Sequence, residues 1–80
     1  MPTVLREDGF EFMIYTNDYE PEHVHAHKAG KAVIINLGSE NTPVSIREVI
    51  GIPKKDTRKA VGIVQKHQTY LLEKWGEVHG

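Results

Sequence analysis

The hydrophobic pattern of this chain changes period once, at Pro53, and that change restricts the fold more than any other feature. Upstream of it, apolar residues alternate. In an extended segment Phe10, Phe12 and Ile14 share one face, while Glu11, Met13 and Tyr15 take the other. Downstream, Ala60, Val61, Val64, Leu71, Leu72, Trp75 and Val78 recur at spacings of three and four, which is an amphipathic helix. The order predicts an α+β protein. Three or four antiparallel strands over about residues 3–50 are covered on one face by one long C-terminal helix over about residues 53–78. Eighty residues make one domain, 1–80, with one small core.

Turn chemistry divides the first part. Asp8-Gly9 between apolar runs is a hairpin signal, because Gly accepts the positive φ of a tight turn. Asn17 to Pro21 reads as a loop, Ala29-Gly30 as a turn, and Lys31 to Leu37 as a strand with a β-branched centre. Val44 to Ile50 fits either a short strand or an irregular packing segment. Pro53 is expected at the first helical position, where its missing N–H costs nothing. A helix of about 24 residues runs roughly 36 Å, against a radius of gyration of about 12 Å for a globule this size. Either its ends overhang or a second protomer covers them, and the expectation is a homodimer. His67 and Gln68, inside the apolar stripe, then mark a polar helix contact such as a dimer seam.

The chain has no cysteine, which excludes disulfides and thiolate metal sites. No apolar run approaches the roughly 20 residues that span a bilayer, and the first residues lack the apolar region of a signal peptide. A soluble cytoplasmic protein with no membrane role is the expectation. The net charge is -1, but residues 1–27 carry six acids and one arginine while residues 28–59 carry seven bases and three acids. Such a split marks either a partner surface or a fold in which the two halves pair with each other.

Three of the five histidines, His23, His25 and His27, stand at alternate positions in Glu20–Lys28. On a strand they share one face, and neighbouring rings are close enough to turn onto one ion. His23, His25 and His27 are therefore candidate ligands for a divalent transition metal such as zinc. Asp18, Glu20 and Glu22 are nearby as further ligands, and Glu11, His67 and His79 are within reach through folding. His23 and His25 are also candidate catalytic groups. Beside Asp18, Glu20 and Glu22 their pKa values are expected to rise, and a neutral and a protonated imidazole can together cleave RNA. The alternative is a solvated strand face with titratable rings and no site. Arg6, Lys28, Lys54, Lys55, Arg58 and Lys59 are candidate partner- or phosphate-binding cations. The last four oppose the helix dipole, so stability alone would not select them there.

Met1-Pro2-Thr3-Val4-Leu5-Arg6, Gly9-Phe10, Glu20-Pro21-Glu22-His23-Val24-His25 and Leu71-Leu72-Glu73-Lys74-Trp75 together resemble a family of short bacterial proteins catalogued as a domain of unknown function. The resemblance covers nearly the whole chain. It implies a cytosolic bacterial protein, often encoded beside a second small protein in a two-gene arrangement like that of toxin–antitoxin modules. It implies no established reaction. Pro53 replaces the usual Ser-type helix cap, Val78-His79 replaces an aromatic pair, and His27 stands outside the shared motif. Two functional expectations follow. One is an interaction protein, half of a toxin–antitoxin-like pair, whose His23/His25 face and basic helix start contact a protein partner or RNA. The other is a small ribonuclease or phosphodiesterase using His23 and His25, with or without a divalent metal.

Overall fold

The computed structural model describes residues 3–80; Met1 and Pro2 of the opening motif lie outside the described residues. The elements in chain order are β1 (Thr3–Glu7), β2 (Phe10–Met13), β3 (His23–Lys28), β4 (Lys31–Asn36), β5 (Ser45–Ile50), α1 (Lys54–Lys66) and α2 (Gln68–His79). The sheet is an antiparallel meander in the order β1-β2-β3-β4-β5. The α+β class therefore holds, with two corrections: there are five strands, and the helix is divided in two.

Both short turns have the positive φ values that suit a two-residue hairpin: Asp8 at 51° and Gly9 at 82°, then Ala29 at 51° and Gly30 at 77°. They bring β1 to β2 and β3 to β4. The loop after β4 turns at Gly38, where φ is 68° and an added Cβ would lie 2.3 Å from the Thr42 carbonyl oxygen, so only glycine fits. The fifth strand escaped the alternation rule because it is the sheet's open edge. All six of its residues are exposed, so apolar and polar positions face the same solvent. Each edge strand carries one extra residue against its neighbour: Val4 on β1 and Arg47 on β5. Such bulges twist an edge away from further pairing.

Register sets the two faces of the sheet. Phe12 lies opposite Ala26, Ala26 opposite Val33, and Val24 opposite Ile35. These residues, with Phe10, Ile14 and Leu37, are buried under Ala60, Ile63, Val64, Leu71 and Trp75 of the helices. The other face carries Glu11, His27 and Ala32 in one row and Met13, His25 and Ile34 in the next. Helices on one side thus leave His25 and His27 on the uncovered side, while the buried His23 ring, at the start of β3, also meets Trp75 of α2.

A straight helix from Lys54 to His79 would run about 39 Å, longer than the 32 Å maximum extent of the Cα trace. The chain breaks the helix at His67, where φ is -109° and ψ is 20°. Two side chains at the break bond to the sheet: His67 Nε2 lies 2.9 Å from Glu7 Oε1, and Gln68 Nε2 donates to the Leu37 carbonyl at 2.8 Å. The polar pair inside the apolar stripe is thus satisfied within the chain. The break removes the single straight helix from which the overhang was argued. Pro53 is the N-cap residue rather than the first helical one, with no side-chain cap. No helix among the described residues is long and apolar enough to cross a membrane.

The His67 contact, with Lys66 at 3.3 Å, holds the Glu7 carboxyl below its ordinary value. A depressed carboxylate stabilises the fold above its unfolded pKa, and that contribution is lost as pH falls through the folded one. Wild-type protein is expected to lose urea resistance between about pH 5 and 3 more steeply than Glu7→Gln, measured by tryptophan fluorescence. Identical pH profiles would mean the Glu7 contacts with His67 and Lys66 contribute nothing.

Candidate functional site

β3 is flanked by β2 and β4, so its histidines sit on a rigid central strand rather than a loop. The rings of His23 and His25 lie 5.2 Å apart, and those of His25 and His27 are stacked at 6.4 Å. The expectation that all three share one face is met. Their surroundings differ. His23 is buried at 5% exposure, whereas His25 and His27 are half-buried.

The loop between β2 and β3, which contains a cis Glu20–Pro21 bond, folds over the first two rings. Its turn is closed by Asp18, whose N–H donates to the Tyr15 carbonyl at 3.1 Å and whose Oδ2 accepts the Tyr15 N–H at 2.9 Å. That double tie aims Oδ1 at the histidines, 3.2 Å from His25 Nε2 and 3.5 Å from His23 Nε2. Of the acids weighed from the sequence, Asp18 alone joins the rings in a three-residue cluster whose donor atoms all lie within 4.8 Å of one another. Glu11 is paired with Arg6 at 3.8 Å, His67 with Glu7, and His79 Nδ1 with the Trp75 carbonyl. His27 stands outside the cluster, its Nε2 3.4 Å from the Tyr15 hydroxyl.

His23 Nδ1 has two neighbours with opposite demands. The Pro21 carbonyl at 2.8 Å can only accept, and the Arg47 guanidinium nitrogen at 3.0 Å can only donate. Only one of the two is a hydrogen bond at a time: a protonated Nδ1 donates to Pro21, and a bare Nδ1 accepts from Arg47. Nε2 lies 3.5 Å from Asp18 Oδ1 in either tautomer. Trp75 backs the same ring, with centroids 5.3 Å apart.

The electrostatics reverse one expectation. Acidic neighbours were expected to raise the histidine pKa values, but at His25 burial outweighs Asp18 and lowers it, so the ring is neutral at pH 7. Burial pushes Asp18 up, yet the Tyr15 N–H and His25 outweigh it, so Asp18 is ionised there.

The cations do not gather as the sequence suggested. Lys54, Lys55, Arg58 and Lys59 are exposed on α1, in the layer opposite the histidines, so the two candidate sites do not form one surface. None of these four is in an ion pair among the described residues, so the two halves of the chain do not neutralise each other there. Lys28 projects on the helix side, with Nζ 3.8 Å from Asp56 and 5.1 Å from the Phe10 ring centroid. Arg47 is the cation at the histidines, and no sequence pattern pointed to it. It arrives through the bulge in β5, 24 residues after His23. Asp18, Tyr19, His23, His25, Arg47 and Glu48 line an open cavity of about 290 Å³ on this face. In sum, two carboxylates (Asp18 and Glu48), two imidazoles and a permanent cation line one accessible concavity. That set can bind an anion, exchange a proton or hold a metal ion.

No curated protein and no solved structure matches the chain. A family model described as a domain of unknown function, DUF4160, matches residues 9–76 and so takes in every strand but the first, the histidine motif and most of α2. With that much of its length matched, the chain belongs to the DUF4160 family.

Proposed function

We propose that the outer-face cluster cleaves phosphodiester bonds in RNA, making this chain a small ribonuclease. One observation carries the reading: Arg47 stands 3.0 Å from His23 inside the cavity that also holds His25 and Asp18. A guanidinium suits the non-bridging oxygens of a phosphate, to which it donates two parallel hydrogen bonds. The Asp18–His23–His25 group and Arg47 hold the charge that builds as the 2′ oxygen, giving its proton to water, attacks phosphorus, and as the bond from phosphorus to the 5′ oxygen breaks and that oxygen takes a proton from water. The test is cleavage of a labelled RNA oligonucleotide beside its DNA counterpart. RNA alone should be cut, and His25→Ala and Arg47→Ala should each lower the rate by about 100-fold or more. Equal cutting of DNA, or full activity in both variants, would overturn the reading.

A second reading, half of a toxin–antitoxin-like pair, is favoured by the row Lys54, Lys55, Arg58 and Lys59, which forms no ion pair among the described residues. A small acidic partner seated there leaves the histidine face free, so both readings can hold in one bacterial cytoplasmic protein. Growth arrest on expression alone, relieved by His25→Ala, supports the ribonuclease. Binding to the product of the neighbouring gene, weakened by salt and by Arg58→Glu, supports the pair.

A further inference from the structure

We infer that Asp18, His23 and His25 form a binding site for one divalent transition-metal ion, with zinc the best fit to the donors. As a statement about function it rests on the ribonuclease reading; as a statement about binding it stands on geometry. Around a tetrahedral ion with bonds of about 2.0–2.1 Å, adjacent ligand atoms are separated by roughly 3.3 Å. The two edges from Asp18 Oδ1 measure 3.2 Å to His25 Nε2 and 3.5 Å to His23 Nε2. The three donor atoms lie within 4.8 Å of one another, so the third edge exceeds the tetrahedral value by at most about 1.5 Å.

The supports around the three donors are those a metal site needs. Ligating histidines usually donate their second ring N–H to a carbonyl or carboxylate, which fixes the tautomer. His23 Nδ1 faces the Pro21 carbonyl at 2.8 Å in that role. With the proton on Nδ1, Nε2 is bare and can ligate the ion. Asp18 Oδ2 is already engaged by the Tyr15 N–H, which leaves Oδ1 for the ion. Both histidines come from one central strand, so their spacing is set by the sheet. Three protein ligands leave a fourth position facing the cavity beside Arg47, the pattern of catalytic rather than structural zinc. An ion there polarises a phosphoryl oxygen. The set differs from the three histidines of the strand: His27 faces the Tyr15 hydroxyl, and the carboxylate takes its place.

The experiment is titration of the full chain with cobalt(II) and zinc(II). It is followed by visible absorption and by emission of Trp75, the sole tryptophan, whose ring is 5.3 Å from that of His23. Binding of one equivalent, with the strong visible bands of tetrahedral cobalt displaced by zinc, is expected. Asp18→Asn, which keeps the side-chain shape and so separates ligand loss from misfolding, should weaken binding about 100-fold, and His25→Ala likewise. His27→Ala should stay within about twofold of wild type. Absence of binding, unchanged affinity in Asp18→Asn, or an equal loss in His27→Ala would each overturn the site. Metal binding without RNA cleavage would leave the site standing and remove the ribonuclease. Cleavage by chelated protein that binds no metal would do the reverse.

Discussion

Phe12→Ala is expected to cost about 3–5 kcal/mol, out of a total stability of about 4–12 kcal/mol for a chain this long. Phe12 has no exposed surface, lies opposite Leu5 on one neighbouring strand and Ala26 on the other, and sits 5.9 Å from the Phe10 ring. Nothing near it can move in to fill the space, because both flanking strands are held by register. In a domain of this size each kcal/mol lowers Tm by roughly 4–8 °C, so the variant should melt at least about 12 °C below wild type, or fail to fold. Tyr19→Ala is the matched control. At 83% exposure its ring is almost wholly in solvent, and stability should change by less than about 0.5 kcal/mol. Urea unfolding of both proteins checks the pair. A loss below about 1 kcal/mol at Phe12 would mean that the sheet does not bury its face under the helices.

Zinc is expected to raise the melting temperature, and Asp18→Asn to abolish the rise. An ion that binds only the folded chain stabilises it by about 2.7 kcal/mol at 100 times its Kd. At the same conversion that is roughly 10–20 °C. The size of the effect is set by the free zinc concentration relative to Kd. Chelator should reverse the shift. Scanning calorimetry with zinc, with excess chelator and with the variant gives the comparison. An equal shift in Asp18→Asn would assign it to scattered surface histidines instead.

Much of the fold was legible because it is local. Alternation in Phe10 to Ile14 and in His23 to His27 depends only on the pleat of an extended chain, and the structure keeps both patterns. Asp8-Gly9 and Ala29-Gly30 mark turns through their tolerance of positive φ. β5 was ambiguous for a physical reason: a strand open to solvent has no buried face to impose alternation. The break at His67 left no mark on the apolar stripe either, which runs through Val64, Leu71 and Trp75 without a change of phase. It depends on Glu7 and on the Leu37 carbonyl, tens of residues away in the chain.

The candidate site divides along the same line. By itself the sequence determined that three imidazoles share one strand face and that an acid-rich loop precedes them, since both follow from near-neighbour geometry. Only tertiary structure decided which acid joins the rings, that Arg47 meets them, and that the α1 lysines do not. Those outcomes depend on how the loop turns at Asp18, where the β5 bulge falls, and which sheet face the helices cover. Each is settled by packing between distant segments, where the free energy of burial rather than the conformational preference of any single residue chooses the arrangement.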